Sequence, residues 1–227
     1  MISMRILDTT VKVKLTFVPV VLVVWGVVTW LGLYWHPGRG FWQGLGIGFM
    51  AALLLFVAEV GHAFAHIFSA RYAKAPMDEI YLAADMPRTL YWNNEVSPDQ
   101  HRLRAVGGPL FNTLGFFLSL AIYAVAPGNS ILRELATWSA FGHGYLMIAS
   151  LIPVPIFDGG TLLKWTLVAR GTTETESDKI IRKIDWVMGT IGLIIGVALI
   201  AMQSWLAGVI ALAIGGAILG IASGRIR

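Results

Sequence analysis

Cysteine is absent from the chain. Disulfides and thiolate ligands are therefore excluded, and any metal must be held by His, Asp or Glu. Charge is scarce as well. Asp, Glu, Lys and Arg make up 13% of the 227 residues, against roughly 25% in soluble domains. Internal repeats, low-complexity tracts and long linkers are missing, so the chain reads as a single polytopic domain over residues 1–227. No nucleotide site, Ser-His-Asp arrangement or nucleic-acid motif is visible, and the net charge of +4 has another explanation below.

What is abundant is apolar. Hydrophobic residues form 56% of the chain and the mean hydropathy is +0.70. A bilayer core takes about 20 apolar residues per helix. Six such stretches can be read: Leu15–Trp35, Phe41–Ala70, Gly107–Pro127, Ile131–Pro153 continuing brokenly to Val168, Ile184–Met202 and Trp205–Ser223. The first is too long for a signal-peptide core and no small-x-small cleavage site follows it, so it reads as a retained span.

Lysine and arginine concentrate in cytoplasmic loops. With six spans, fifteen of the 17 basic residues, among them Arg5, Arg71, Arg104, Lys164, Lys183 and Arg227, fall on one side, and only Arg39 and Arg133 fall on the other. Both termini are thus expected in the cytoplasm, and the basic excess is explained by the bilayer alone. The expected fold class is an all-α integral membrane protein of six transmembrane helices. A small membrane-associated β element is expected between the second and third, in the polar loop of about residues 71–105. There Met77–Ala83 and Arg88–Trp92 have strand-like composition. Thr and Ser before the acidic residues of Gly171–Lys179 predict a helix start. Gly216, Gly220 and Gly224 at four-residue spacing predict close packing of the last span.

Ionisable groups inside a bilayer are costly and are functional candidates for that reason. Glu59, His62 and His66 lie on the second span, in the stretch AEVGHAFAH. His62 and His66 are four apart and share a helix face. Glu59 and His62 form Glu-x-x-His, a spacing that ligates metal in carboxylate-bridged bundles. Asp158 comes late in the fourth span, which runs in the same direction, so the topology puts it at similar depth. Oxygen and nitrogen ligands from these residues could converge; the alternative is that one or two of the histidines are hydrogen-bonded core residues. His143 stands seven residues outside Ser150, about 10 Å of helix, and reads as remote from Asp158.

The combination of AEVGH (Ala58–His62), GGPLFN (Gly107–Asn112) and IPVPIFDGG (Ile152–Gly160) resembles the site-2 protease family of intramembrane zinc metalloproteases. That family carries H-E-x-G-H, G-P-x-x-N and L-D-G-G in this order. The resemblance implies six spans in a prokaryotic plasma membrane and one zinc ion. It implies hydrolysis of peptide bonds in transmembrane segments through a metal-activated water. His62 would be the second zinc histidine, Asp158 the third ligand and Glu59 the general base. Ser150, Pro153, Asn112 and Tyr81 would contact substrate; Tyr81 belongs to a strand that could pair with an unwound segment. Pro153 and Pro155 break the fourth span, and irregular backbone at membrane depth is tolerated where it lines protein or a wet cavity. The expected partners are lipid and the transmembrane helix of a substrate or partner subunit.

Two departures matter. Ala58 stands where the first zinc histidine belongs, and Ser150 stands where an asparagine is usual. His66, one turn further on, could replace the missing ligand and slide the site toward the cytoplasm. In that frame Glu59 loses the position of a base. The competing reading is a pseudoprotease that binds membrane helices, with a structural metal or none. A transporter using Glu59, His62 and Asp158 as a relay is disfavoured by the lack of a transporter-type repeat.

Overall fold

The computed structural model describes residues 1–84, 87–91 and 94–225. Trp92 and Arg227, used above for a strand and for the charge count, lie outside them. The chain divides into two compact units, Met1–Ser150 and Leu151–Arg227. It is mostly helical, with a small mixed sheet. Among the described residues, five helices are long and apolar enough to cross a membrane, and the protein is a membrane protein.

The first unit opens on a hairpin that the sequence reading did not anticipate. Strands β1 (Ile2–Ile6) and β2 (Thr9–Val13) pair antiparallel across a turn at Leu7 and Asp8. Both turn residues have positive φ, at 48° and 58°, as tight hairpin turns require. Strand β2 then pairs in parallel with β3 (Glu79–Leu82), which pairs antiparallel with β4 (Arg88–Leu90). The order is β1-β2-β3-β4, so the sheet is not confined to the loop between the second and third spans. Lys12 and Glu79 form an ion pair at 2.7 Å across β2 and β3.

Helices α1 (Phe17–Trp35), α2 (Phe41–Tyr72), α3 (Pro98–Val125) and α4 (Ile131–Ser150) complete this unit. At 1.5 Å per residue the 32 residues of α2 extend about 48 Å. That is well beyond a hydrocarbon core of about 30 Å. Its C-terminal end carries the sheet: Ala63, Ile67 and Ala70 pack with Val11, Met77, Ile80 and Leu82. Arg71 donates to the Leu7 carbonyl and, at 3.0 Å, to the Thr9 hydroxyl, which ties the hairpin turn to the same end.

Helix α3 starts at a capping box. The Gln100 amide N–H donates to Ser97 Oγ and the Ser97 N–H donates to Gln100 Oε1, with Pro98 in the first turn. At the start of α4, Glu134 is held by both Arg39 amino nitrogens, at 2.9 and 2.5 Å; this bond raises the Arg39 guanidinium above its ordinary pKa. Helix α4 is the fourth predicted span, but it carries Arg133, Glu134 and His143 and is not among the five apolar helices.

In the second unit an irregular stretch, 151–157, leads into α5 (Asp158–Ala169). The predicted broken span is therefore a separate helix after a loop. The glycines of D-G-G are needed there. A Cβ on Gly159 would meet the Ile152 carbonyl at 2.6 Å, and one on Gly160 would meet Val154 C at 2.5 Å. Helix α6 (Glu174–Ala201) begins at a Thr173–Glu176 capping box where the sequence predicts a start, and α7 (Trp205–Ala222) packs on it. Their close approach uses other glycines than expected. A Cβ on Gly192 would meet Gly215 Cα at 3.0 Å, and one on Gly208 would meet the Gly196 carbonyl at 2.9 Å. At Gly216 and Gly224 a Cβ would meet nothing within 4 Å.

Candidate metal centre

Glu59, His62 and His66 all lie on α2. At 100° per residue they fall within about 60° of one face. Glu59 and His62 are half-buried, whereas His66 is buried. The two imidazoles meet edge to face, with centroids 4.7 Å apart and the Nε2 atoms 3.0 Å apart. On its other side His66 Nδ1 lies 2.8 Å from the Arg104 carbonyl, which also accepts from Ser69 Oγ at 3.1 Å. A carbonyl has no proton, so His66 Nδ1 must donate. That is the usual outer-shell bond of a metal-ligating histidine; in a neutral ring it leaves Nε2 as the donor atom for a metal.

Space for the pair comes from α3. A side chain at Gly108 would clash with both imidazoles. One turn further along, Asn112 is fully buried and its Nδ2 lies 2.7 Å from His62 Nδ1. The same amide reaches α4: His143 Nδ1 lies 2.9 Å from Asn112 Oδ1. His143, which the sequence reading set aside as remote, is thus linked to His62 through one side chain. The signal that could have found it is the i, i+4, i+7 run Gly108, Asn112, Gly115 on α3, since a Cβ on Gly115 would strike the His143 ring.

The remaining candidates fall as follows. Ala58 is fully buried, 3.6 Å from where a Cβ on Gly142 would stand. Ser150 is buried at the end of α4 and donates to the Met147 carbonyl at 3.3 Å. Pro153 lies in the irregular stretch of the second unit, and Asp158 is the first residue of α5. Tyr81 sits on β3, which has neighbours on both sides. The exposed edge that strand addition requires is therefore missing from β3 and belongs to β1 and β4.

Two nitrogens bonded to one tetrahedral zinc at about 2.0–2.1 Å stand roughly 3.3 Å apart. The His62–His66 separation of 3.0 Å is within a few tenths of this, and both donors are imidazoles. The pair fits a divalent metal of zinc type. Ala58 offers no donor.

No family model and no curated protein sequence matches the chain. Among solved structures it is similar to a site-2 protease from Methanocaldococcus jannaschii. The TM-score is 0.58 at 21% identity, over 100% of this chain and 95% of that one. The chain has the fold of a site-2 protease. At that identity the likeness speaks for the fold, and the chemistry rests on this chain's own residues.

Proposed function

We propose that the protein is a six-span, site-2-protease-like membrane protein that holds one divalent metal, zinc by preference, with His62, His66 and Asp158. Its role is to engage transmembrane helices of partner or client proteins, with peptide hydrolysis weak or lost. The observation that carries this reading is the 3.0 Å approach of His62 Nε2 and His66 Nε2. That approach supports a donor pair one turn along α2 from the pair that Ala58 and His62 would have made.

Zinc, when bound, supplies Lewis acidity toward a carbonyl. The residues around the pair limit its use. His66 is oriented by the Arg104 carbonyl, and His62 by Asn112. Glu59 is the proton acceptor expected of a hydrolase, yet it precedes the midpoint of His62 and His66 by five residues, about 7.5 Å of helix rise. A general base must come within hydrogen-bond reach of the proton it takes, and this offset argues against efficient hydrolysis. Retention of Glu59 together with Asp158 favours the second reading, a working peptidase of altered geometry.

Metal analysis of the purified protein, paired with a cleavage assay on a helical membrane substrate, separates the readings. We expect about one zinc per chain with little cleavage. An apoprotein that takes up no zinc on addition overturns the metal centre, and robust cleavage dependent on Glu59 establishes the peptidase. The six-span arrangement, with both termini cytoplasmic, has its own check. Reporter fusions after Arg104 and after Lys183 should read cytoplasmic, and one between Pro127 and Arg133 external. An external reading after Arg104 rules the arrangement out.

A further inference from the structure

Helix α6, in the second unit, is longer than a membrane requires. Its 28 residues extend about 42 Å, against a hydrocarbon core of about 30 Å. Roughly eight residues must therefore stand outside that core, and the sequence says which. Every ionisable residue of α6 falls between Glu174 and Asp185, and none occurs from Trp186 to Ala201. The apolar part begins at Trp186, which is 47% exposed. Tryptophan is a residue type that settles at a membrane–water boundary.

Just outside that boundary one face of α6 is basic. Lys179, Arg182 and Lys183 precede Trp186 by seven, four and three residues, and all four side chains are exposed. At 100° per residue they fall within about 100° of one another around the helix. The buried stripe of Ser177, Ile181 and Asp185 lies on the other side. The remaining acids of the segment are engaged elsewhere. Glu174 and Asp178 pair with Lys164 of α5, at 3.4 and 3.0 Å. Glu176, one turn before Lys179, is taken up in the Thr173 capping box. Among the described residues, no ion pair involves Lys179, Arg182 or Lys183. Three neighbouring cations thus face outward together, and an anion is the complement they lack.

Depth identifies the anion. Helix rise places Lys183 and Arg182 about 4.5 and 6 Å beyond Trp186, and Lys179 about 10.5 Å beyond it. All four side chains lean toward the helix N-terminus, so these differences hold at their tips. The headgroup layer is roughly 5–8 Å deep on each side, the difference between hydrocarbon of about 30 Å and a whole bilayer of about 40–45 Å. Arg182 and Lys183 therefore stand within that layer, and Lys179 stands at its outer rim. A soluble acidic protein would have to displace lipid to reach the inner pair. A lipid phosphate is already at that depth, and a guanidinium offers it two parallel N–H donors.

We propose that Lys179, Arg182, Lys183 and Trp186 form a binding site for an anionic phospholipid. Arg182 and Lys183 hold the phosphate, Lys179 attracts the headgroup from outside, and Trp186 packs beside the start of the acyl chains. The site depends neither on the metal centre nor on which side of the membrane the termini occupy.

The test is native mass spectrometry of the protein in detergent, titrated with phosphatidylglycerol or with phosphatidylcholine of the same chain length. Each cation at an anionic lipid surface contributes about fivefold in affinity, the equivalent of about 1 kcal/mol. We expect the first phosphatidylglycerol to bind on the order of 100-fold more tightly than the first phosphatidylcholine, from three such contributions. Arg182→Gln alone should cost about fivefold, and the triple variant Lys179→Gln, Arg182→Gln, Lys183→Gln should lose the preference. A control triple, Arg5→Gln, Lys74→Gln, Arg102→Gln, removes the same charge from the first unit and should keep it. Equal affinity of the wild type for the two lipids overturns the site without recourse to any variant. An equal loss in the control triple also overturns it, since the preference would then follow net charge. A large excess of inorganic phosphate, or of polyglutamate, should leave the first phosphatidylglycerol bound. Displacement by either overturns the lipid assignment and gives the face to a soluble anion or an acidic protein.

Discussion

Zinc should be lost from His66→Ala as completely as from His62→Ala. If the donor pair is His62 with His66, each supplies one of three proposed ligands, and removing either leaves too few for a stable site, since structural zinc takes four ligands and catalytic zinc three. Outer-shell changes alone cost about 10–100-fold in affinity, so loss of a direct ligand should exceed about 100-fold. The comparison is made by metal analysis after equilibration with buffered zinc. Asp158→Ala should behave alike, because it is the proposed oxygen donor. A readout of folding keeps the result interpretable: the sheet on α2 packs through Ala63, Ile67 and Ala70, which neither histidine substitution touches. Full zinc content in His66→Ala with loss in His62→Ala would reduce His66 to a buried residue bonded to the Arg104 carbonyl. The one-turn displacement of the site would fall with it.

The histidine part of that prediction was accessible from the sequence because His62 and His66 share one helix. Glu59, His62 and His66 occupy one face by spacing alone, and the costliness of charge in a bilayer marks them without any fold. Asn112 was accessible through G-P-x-x-N, but only as a residue near substrate. Its bond to His143 depends on how α3 meets α4, a packing fact with no local signature except the flanking glycines. The N-terminal hairpin was illegible for another reason. Its turn is Leu7-Asp8 rather than Asn-Gly, and the partner of β2 is β3, some 70 positions later in the chain. The same parallel pairing turned β3 from an edge into an interior strand, which composition could not announce. In α7 the four-residue glycine run was legible, while the face it lies on was not. Gly208 and Gly215 make the approach to α6, because only the fold decides which stripe of a uniformly apolar helix faces its neighbour.

The double substitution Ala58→His with Ser150→Asn should raise cleavage of a helical membrane substrate above that of the native chain. A histidine at 58 pairs with His62 at the same four-residue spacing that His66 now uses. The midpoint of that pair is one residue from Glu59, about 1.5 Å of rise, instead of five residues and about 7.5 Å. Glu59 then stands level with the donors, where a base can reach the proton it must take. Asparagine at 150 adds a hydrogen-bond donor of the kind whose removal elsewhere costs about 10²–10³ in rate. The full gain should therefore require both changes and reach at least the order of 10² over Ala58→His alone. The new imidazole has a steric cost. Ala58 is fully buried against α4 at Gly142, where a Cβ would stand 3.6 Å away, and overpacking of this kind costs about 1–3 kcal/mol. Some loss of thermal stability in detergent is expected alongside the gain. Two further variants fix the interpretation. Glu59→Gln in the double-substituted background should abolish cleavage while zinc stays bound. His66→Ala in that background should leave cleavage intact, although in the native chain it is expected to remove the metal, because the donor pair would have moved back to 58 and 62. If the double variant binds zinc, folds, and still fails to cleave a helical membrane substrate, the missing histidine is not what silences this chain. If the gained activity instead depends on His66, the native pair is the working one, and the offset of Glu59 is no barrier to its acting as the base.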